Sequence, residues 1–509
     1  MAANLLKENL TKSTLFGFAW QYLSSLVQAV LQVIVLAVLA RLLSPEDFGI
    51  LGLAMIVVGF ATLFSQLGVG PALVQRSELT PTHIRVGFTL SVLLSLVLTF
   101  ITIVVSPLAA LFLQSDHVAN VLSVISLNFL FSGFGVVAES LLKRNLQFRK
   151  LMWARTGSYL FGYAIVGIAM AWLGYGVWSL VGATLGQSIV YSLLLLILNP
   201  HSLLPSIARR EIRELLFFGG GFTLARFLNY SANQGDYFVV GRVMGPGPLG
   251  IYSRAYQLMM MPAKYFSEVL AVVLFPVMAK LQTERRQLTK TYLTAISIVA
   301  LVSAPIGILM VITASEIVEV ILGSKWSEVI VPFQILALGV VGRSSYKIDD
   351  ALAKALGVMY RRSVRDAIYA AAVVLGAGIG LRWGLAGVAV GVLGAVVINY
   401  ILALQMSMDL LDCSWTQVFQ ALSPSIYPTV IVAVTAMFMR TLLHAYGFPA
   451  WFILGTVLPI SGTSMIVLFL LQPQILGVYG IKTLKRFLPL LPIQIFPRTF
   501  SQWLLARIK

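Results

Sequence analysis

The feature that most limits how this chain can fold is a succession of about fourteen apolar stretches, most of them near the ~20 residues a helix needs to cross a bilayer. They lie at about 15–40, 48–70, 86–113, 118–142, 154–173, 176–198, 215–241, 251–279, 291–314, 329–356, 366–382, 384–405, 421–443 and 450–472. Short polar loops separate them, and no linker is long enough for a soluble domain. The 509 residues are 59% hydrophobic and 11% charged, with a mean hydropathy of +0.90. Soluble domains run nearer 45–50% apolar and about 25% charged, so an ordinary soluble enzyme is excluded. The expected fold class is an all-α integral membrane protein of about 14 transmembrane helices. The polar N-terminus lacks a signal-peptide core with a small-residue cleavage site, so the first apolar run reads as a retained span.

The net charge of +17 would suggest nucleic acid in a soluble protein. Here the bases sit in clusters between apolar runs. With the N-terminus inside, clusters such as KRNLQFRK at 143–150 and ERR at 284–286 fall on one side. The opposite side holds Arg41, Arg242, Arg254, Lys325, Arg382 and Arg440. That bias is the positive-inside rule and places both termini in the cytoplasm. One cysteine, Cys413, and four scattered histidines show no metal-ligand spacing, so no metal or cofactor is expected. Outer loops are mostly short, the longest near 315–328, so no catalytic domain is expected and the protein reads as a non-enzyme.

An internal repeat organises the helices. A shift of 201 residues lays ARLLSPEDFGI (40–50) on GRVMGPGPLGI (241–251), pairing Arg41 with Arg242, Pro45 with Pro246 and Gly49 with Gly250. A shift of 211 pairs Glu139 with Asp350, Lys143 with Lys354 and Lys150 with Arg361. The extra residues fall in the longer outer loop. Helices one to six and seven to twelve therefore read as parallel copies of one unit, a transporter architecture whose path lies at the interface. The expected layout is an N-lobe over 1–200, a C-lobe over 201–405, two further helices over 406–475 and a basic cytoplasmic tail over 476–509. The two lobes are pseudo-symmetric six-helix bundles.

Charge inside a bilayer is costly and marks function by default. Arg226, Asn229, Asn233 and Asp236 share one face of the seventh helix, and Ser25, Gln28 and Gln32 stand at the first three equivalent positions of the first helix. These residues, with Arg343 and Lys347 of the tenth helix, are the candidate lining of a polar lumen. Interhelical hydrogen bonding is the alternative for the uncharged ones. Lys264 and Glu268 form an i,i+4 pair on the eighth helix, and Asp350 and Lys354 continue the tenth-helix stripe. Asp236, Lys264, Glu268, Asp350 and Glu139 are candidates for ion coupling or charge pairing. Basic groups in a lumen suit an anionic cargo, and arginine suits phosphate oxygens. Ser44-Pro45-Glu46-Asp47 reads as a helix start, and Gly387-xxx-Gly391 as a close helix contact.

Residues 16–76, running from FGFAWQYLSSLVQ to LGVGPALVQR, resemble the opening of bacterial polysaccharide exporters, as do LLKRNLQFRKL (141–151) and LGSKWSEVIVPFQILALG (322–339). These exporters are the Wzx-type lipopolysaccharide and polysaccharide flippases of the multidrug/oligosaccharidyl-lipid/polysaccharide exporter superfamily. The resemblance covers about residues 10–410 and rests chiefly on RLLSPEDFGI. It implies two lobes with a cationic central cavity. It also implies a polyprenyl-diphosphate-linked oligosaccharide as cargo, flipped from inner to outer leaflet for surface polysaccharide export. Membrane lipids and other polysaccharide assembly proteins are the expected partners, with no nucleic acid. A cation-coupled multidrug exporter of the same superfamily is one alternative. A membrane polysaccharide polymerase or glycosyltransferase is another, of a different class.

Overall fold

A computed structural model describes residues 27–65, 69–76, 78–219 and 223–472. The described residues are helical or in turns, with no strand among them. Nine described helical stretches are long and apolar enough to cross a membrane, or ten if one bent pair counts as a single span. The protein is a multi-pass membrane protein. The chain divides into two compact units, Met1–Ser253 and Arg254–Lys509.

The first unit contains α1 (Val27–Leu42), α2 (Pro45–Ser65), α3 (Val69–Gln75), α4 (Pro81–Leu113), α5 (Asp116–Ile125) and α6 (Leu127–Arg144). It continues with α7 (Phe148–Tyr159), α8 (Ile168–Trp172), α9 (Val177–Leu198), α10 (Arg209–Gly219), α11 (Thr223–Met244) and the start of α12 (Pro246–Pro262). A π-helical segment, Leu160–Gly167, joins α7 to α8. The α2 start matches its sequence signals. Ser44 Oγ accepts from the Asp47 amide at 3.2 Å, and the Asp47 carboxylate accepts from the Ser44 amide at 2.8 Å.

α4 shows why this sequence belongs in lipid. Ser91, Ser95, Thr99, Thr102 and Ser106 recur at steps of three and four and are buried, while Phe100, Leu108 and Leu111 are exposed. The small polar stripe packs on α5 and α6. Ser95 approaches Gly133, Thr99 donates to the Ser126 carbonyl at 3.2 Å, and Ser106 meets Ser123 at 2.6 Å. Small polar residues inside and large apolar ones outside is the pattern of helices packed in a bilayer.

The second unit contains the rest of α12, a π-helical turn Ala263–Ser267, α13 (Glu268–Lys280), α14 (Arg285–Ile312), α15 (Ala314–Ile321) and α16 (Ile330–Ala337). Then follow α17 (Val340–Ala355), α18 (Met359–Gly380), α19 (Gly384–Leu411), α20 (Trp415–Leu422), α21 (Ile426–Ala445) and α22 (Ala450–Leu471). The tenth expected helix is broken. α17 leaves the 324–337 segment at 50°, and its polar length is buried in the unit. The expected loop at 315–328 is largely helical, as α15 and a 3-10 turn over Ser324–Val329. Described residues of the seventh expected helix, 215–241, fall at the end of α10 and in α11. Gly376 and Gly380 of α18 meet Gly391 and Gly387 of α19 backbone to backbone, in keeping with the Gly387-xxx-Gly391 spacing.

Helix ends reproduce the repeat register. With the shift of 201, α2 and α12 both begin at the paired prolines Pro45 and Pro246. With the shift of 211, α6 and α17 both end, at Arg144 and Ala355, and α7 and α18 both begin, at Phe148 and Met359. The turn between each pair holds a left-handed residue at the same place: Leu146 (φ 54°) in the first copy and Gly357 (φ 70°) in the second. The two proline–glycine motifs also pack on each other within the first unit. A Cβ on Gly49 would collide with the Pro246 carbonyl, and one on Gly250 with the Pro45 carbonyl.

Candidate functional site

α17 carries a charged stripe inside the second unit. Arg343 is 3% exposed. Its guanidinium lies over the Tyr256 ring at 4.9 Å and the Tyr369 ring at 5.8 Å. Such rings stabilise a desolvated cation through their negative faces. Lys347, half-buried one turn on, stands 5.3 Å from the Tyr346 ring. Asp350 gathers Lys354 at 2.8 Å, Arg365 at 3.8 Å and Arg362 in direct contact. Arg365 also bonds Asp366 at 3.0 Å.

The first unit repeats this ion cluster. Glu139, the repeat partner of Asp350, binds Lys143 at 2.9 Å on its own helix and Arg155 at 3.1 Å from the next. Acid and i+4 base come from α6 or α17, and a further base comes from α7 or α18. Glu139 and Asp350 are thus brought into charge pairing.

The remaining candidates are placed separately. Gln28 and Gln32 on α1 and Asn233 on α11 are half-buried. Asp236 is 1% exposed and accepts the Tyr252 hydroxyl at 2.8 Å. Tyr230 of the same helix donates to the Ile56 carbonyl at 2.6 Å, which fixes α11 on α2. Ser25 and the side chains of Arg226, Asn229 and Glu268 lie outside the described residues. Lys264 is exposed on the π-helical turn, 5.4 Å from the Tyr265 ring.

Three groupings had no sequence signal strong enough to find them. The Tyr256 and Tyr369 rings around Arg343 come from α12 and α18, far apart in sequence. Glu316 of α15, 1% exposed, binds Arg440 Nε and His444 Nε2 of α21, each at 2.7 Å. Burial pushes the Glu316 carboxyl up, but the Arg440 and His444 hydrogen bonds outweigh it and hold it below its usual range. Glu214 of α10 meets Arg76 at 2.6 Å, Arg210 at 3.1 Å and His83 at 3.2 Å. Hydrogen bonds from His83 and Arg210, with Arg76 beside them, lower that carboxyl to about 2.

Comparison with known proteins supplies what geometry alone does not. Residues 38–331 match a family model described as polysaccharide biosynthesis protein. The lipopolysaccharide biosynthesis protein WzxC of Escherichia coli (strain K12) is 25% identical over 435 residues, 84% of this chain and 88% of WzxC. The succinoglycan biosynthesis transport protein ExoT of Rhizobium meliloti (strain 1021) is 26% identical over 319 residues, 62% of this chain and 64% of ExoT. Among solved structures, the inward closed conformation of the lipid II flippase MurJ matches with a TM-score of 0.69 at 14% identity, covering 91% of this chain and 98% of MurJ. That likeness is one of fold.

Proposed function

Because the chain belongs to the polysaccharide biosynthesis protein family, we propose that it flips a polyprenyl-diphosphate-linked oligosaccharide from the inner to the outer leaflet for surface polysaccharide export. The observation that carries this reading is the near full-length similarity to WzxC. ExoT is a transport protein and MurJ a lipid flippase, and both activities agree with it.

In this proposal the protein sits in the bacterial inner membrane with both termini in the cytoplasm, crosses it fourteen times and carries cargo without covalent chemistry. Two lobes of the sequence repeat alternate access by rocking. Arg226, Arg343 and Lys347 neutralise the diphosphate, while Ser25, Gln28, Gln32, Asn229 and Asn233 hydrogen-bond sugar hydroxyls. The rings of Tyr256 and Tyr369 hold Arg343 in place for the diphosphate. With an inside-negative potential, outward movement of about two negative charges gains about 2.3 kcal/mol per charge per 100 mV. Asp236, Lys264, Glu268, Asp350 and Glu139 serve pairing or coupling. Other polysaccharide assembly proteins receive the flipped unit.

The test is translocation of a lipid-linked oligosaccharide by the protein in liposomes. Arg343→Ala is expected to reduce it at least tenfold while the protein still inserts. Unchanged translocation would remove Arg343 from cargo recognition. Translocation of a cationic drug in place of the glycolipid would favour the drug-exporter alternative.

A further inference from the structure

A deeply buried acid of the second unit has no part in the reading above. Asp349 lies on α17 beside the charged stripe, with no exposure. Its Oδ1 accepts two hydrogen bonds, from the Tyr292 hydroxyl of α14 at 2.7 Å and the Ser407 hydroxyl of α19 at 2.6 Å. Its Oδ2 is buried without a hydrogen-bond partner. The Ser345 hydroxyl, one turn earlier on the same face, and the Tyr400 hydroxyl of α19 are also buried and face each other, with no further hydrogen-bond partner. Tyr400 faces both Ser345 and Asp349, and its Cβ packs 3.4 Å from where a Cβ on Gly342 would stand. Apolar side chains, among them Ile296, Val299, Leu352 and Leu404, form the surrounding core.

An ionised carboxylate here would leave one charged oxygen bare in apolar packing, which is strongly unfavourable. A proton on Oδ2 removes the charge and creates a donor for the waiting Ser345 or Tyr400 oxygen. The titratable neighbours are Tyr292, Tyr400, Asp350 on the same helix, Arg365 of α18, and Cys413 beyond α19. Arg365 is held by Asp366 and sits near Asp350. α13 meets this core through Leu270, Ala271, Leu274 and Met278. In the repeat register Asp349 and Ser345 correspond to Ala138 and Phe134, so the shared fold does not require them.

We infer that Asp349, with Tyr292, Ser345, Tyr400 and Ser407, forms a buried proton-binding site, loaded in the conformation described and unloaded when α14, α17 and α19 shift. Its role in the cycle rests on the transport reading; its protonation does not. Infrared spectroscopy of the full-length protein in lipid at pH 7 should show a protonated-carboxyl carbonyl band. That band should vanish in Asp349→Asn, shift in Tyr400→Phe and persist in Asp366→Asn. A wild-type protein without the band overturns the site, as does sodium chloride raising the melting temperature of wild type but not of Asp349→Asn, which would mark a metal-cation site.

In proteoliposomes with a lipid-linked oligosaccharide, an imposed pH gradient should change wild-type translocation at least fivefold and leave Asp349→Asn unresponsive. A full gradient response in Asp349→Asn overturns the coupling role. If no variant moves the glycolipid, the transport reading fails, while the spectrum decides the proton site by itself.

Discussion

Glu316 shows what one side chain can do at the edge of the spans. It is almost wholly buried, yet Arg440 and His444 keep it ionised and tie α21 to α15. A carboxyl held below its ordinary value contributes stability that is full above that value and fades as pH falls through the lowered one. Glu316→Gln is therefore expected to cost about 1–3 kcal/mol near neutrality, read as lower thermal stability, and to flatten the loss that wild type shows in acid. Glu214 follows the same sign. With its carboxyl lowered to about 2, the contribution of Glu214 to hydrogen-exchange protection of α10 should hold from neutrality to about pH 4.5 and weaken as pH falls toward 2. Leu146 is a different case. It holds a left-handed backbone where the second copy has Gly357, and such a conformation costs a residue with a Cβ about 1 kcal/mol. Leu146→Gly should be neutral or slightly stabilising in a melting assay, whereas Gly357→Leu should destabilise.

Among the helices, α17 separates what sequence can tell from what it cannot. Steps of four, three and four put Arg343, Lys347, Asp350 and Lys354 on one face, and they do share one helix. Periodicity gives a face but not its neighbour. The rings of Tyr256 and Tyr369 and the bases Arg362 and Arg365 come from other helices, so no spacing within α17 points to them. Asp349 stands one residue off the stripe, where hydropathy averages it into its neighbours. The 50° bend before α17 is equally hidden, since neither a proline nor a charge marks Leu338–Gly339. The α18–α19 contact is legible because glycine at i and i+4 inside an apolar helix removes side chains from one face and lets another backbone approach. Gly391→Val should push the two backbones apart at Gly376 and cost about 1–3 kcal/mol by overpacking, measured as a lower melting temperature in detergent.

At the scale of the whole chain, the positive-inside bias and the repeat are the strongest signals in the sequence, and each describes organisation more than cargo. Helix ends coincide at the positions both shifts pair, and in the 211 register so do a left-handed residue and an acid with its i+4 base. The cargo comes instead from family membership, because a transporter of this kind has no catalytic motif to read. The reciprocal contact of Gly49 with Pro246 and Gly250 with Pro45 has a genetic consequence. Each duplicated motif supplies the surface on which the other rests, so neither copy can drift alone. A bulky residue at Gly49 should be rescued by changes near Pro246 more often than by changes elsewhere, and the converse should hold for Gly250. A suppressor screen would then map this contact from sequence changes alone.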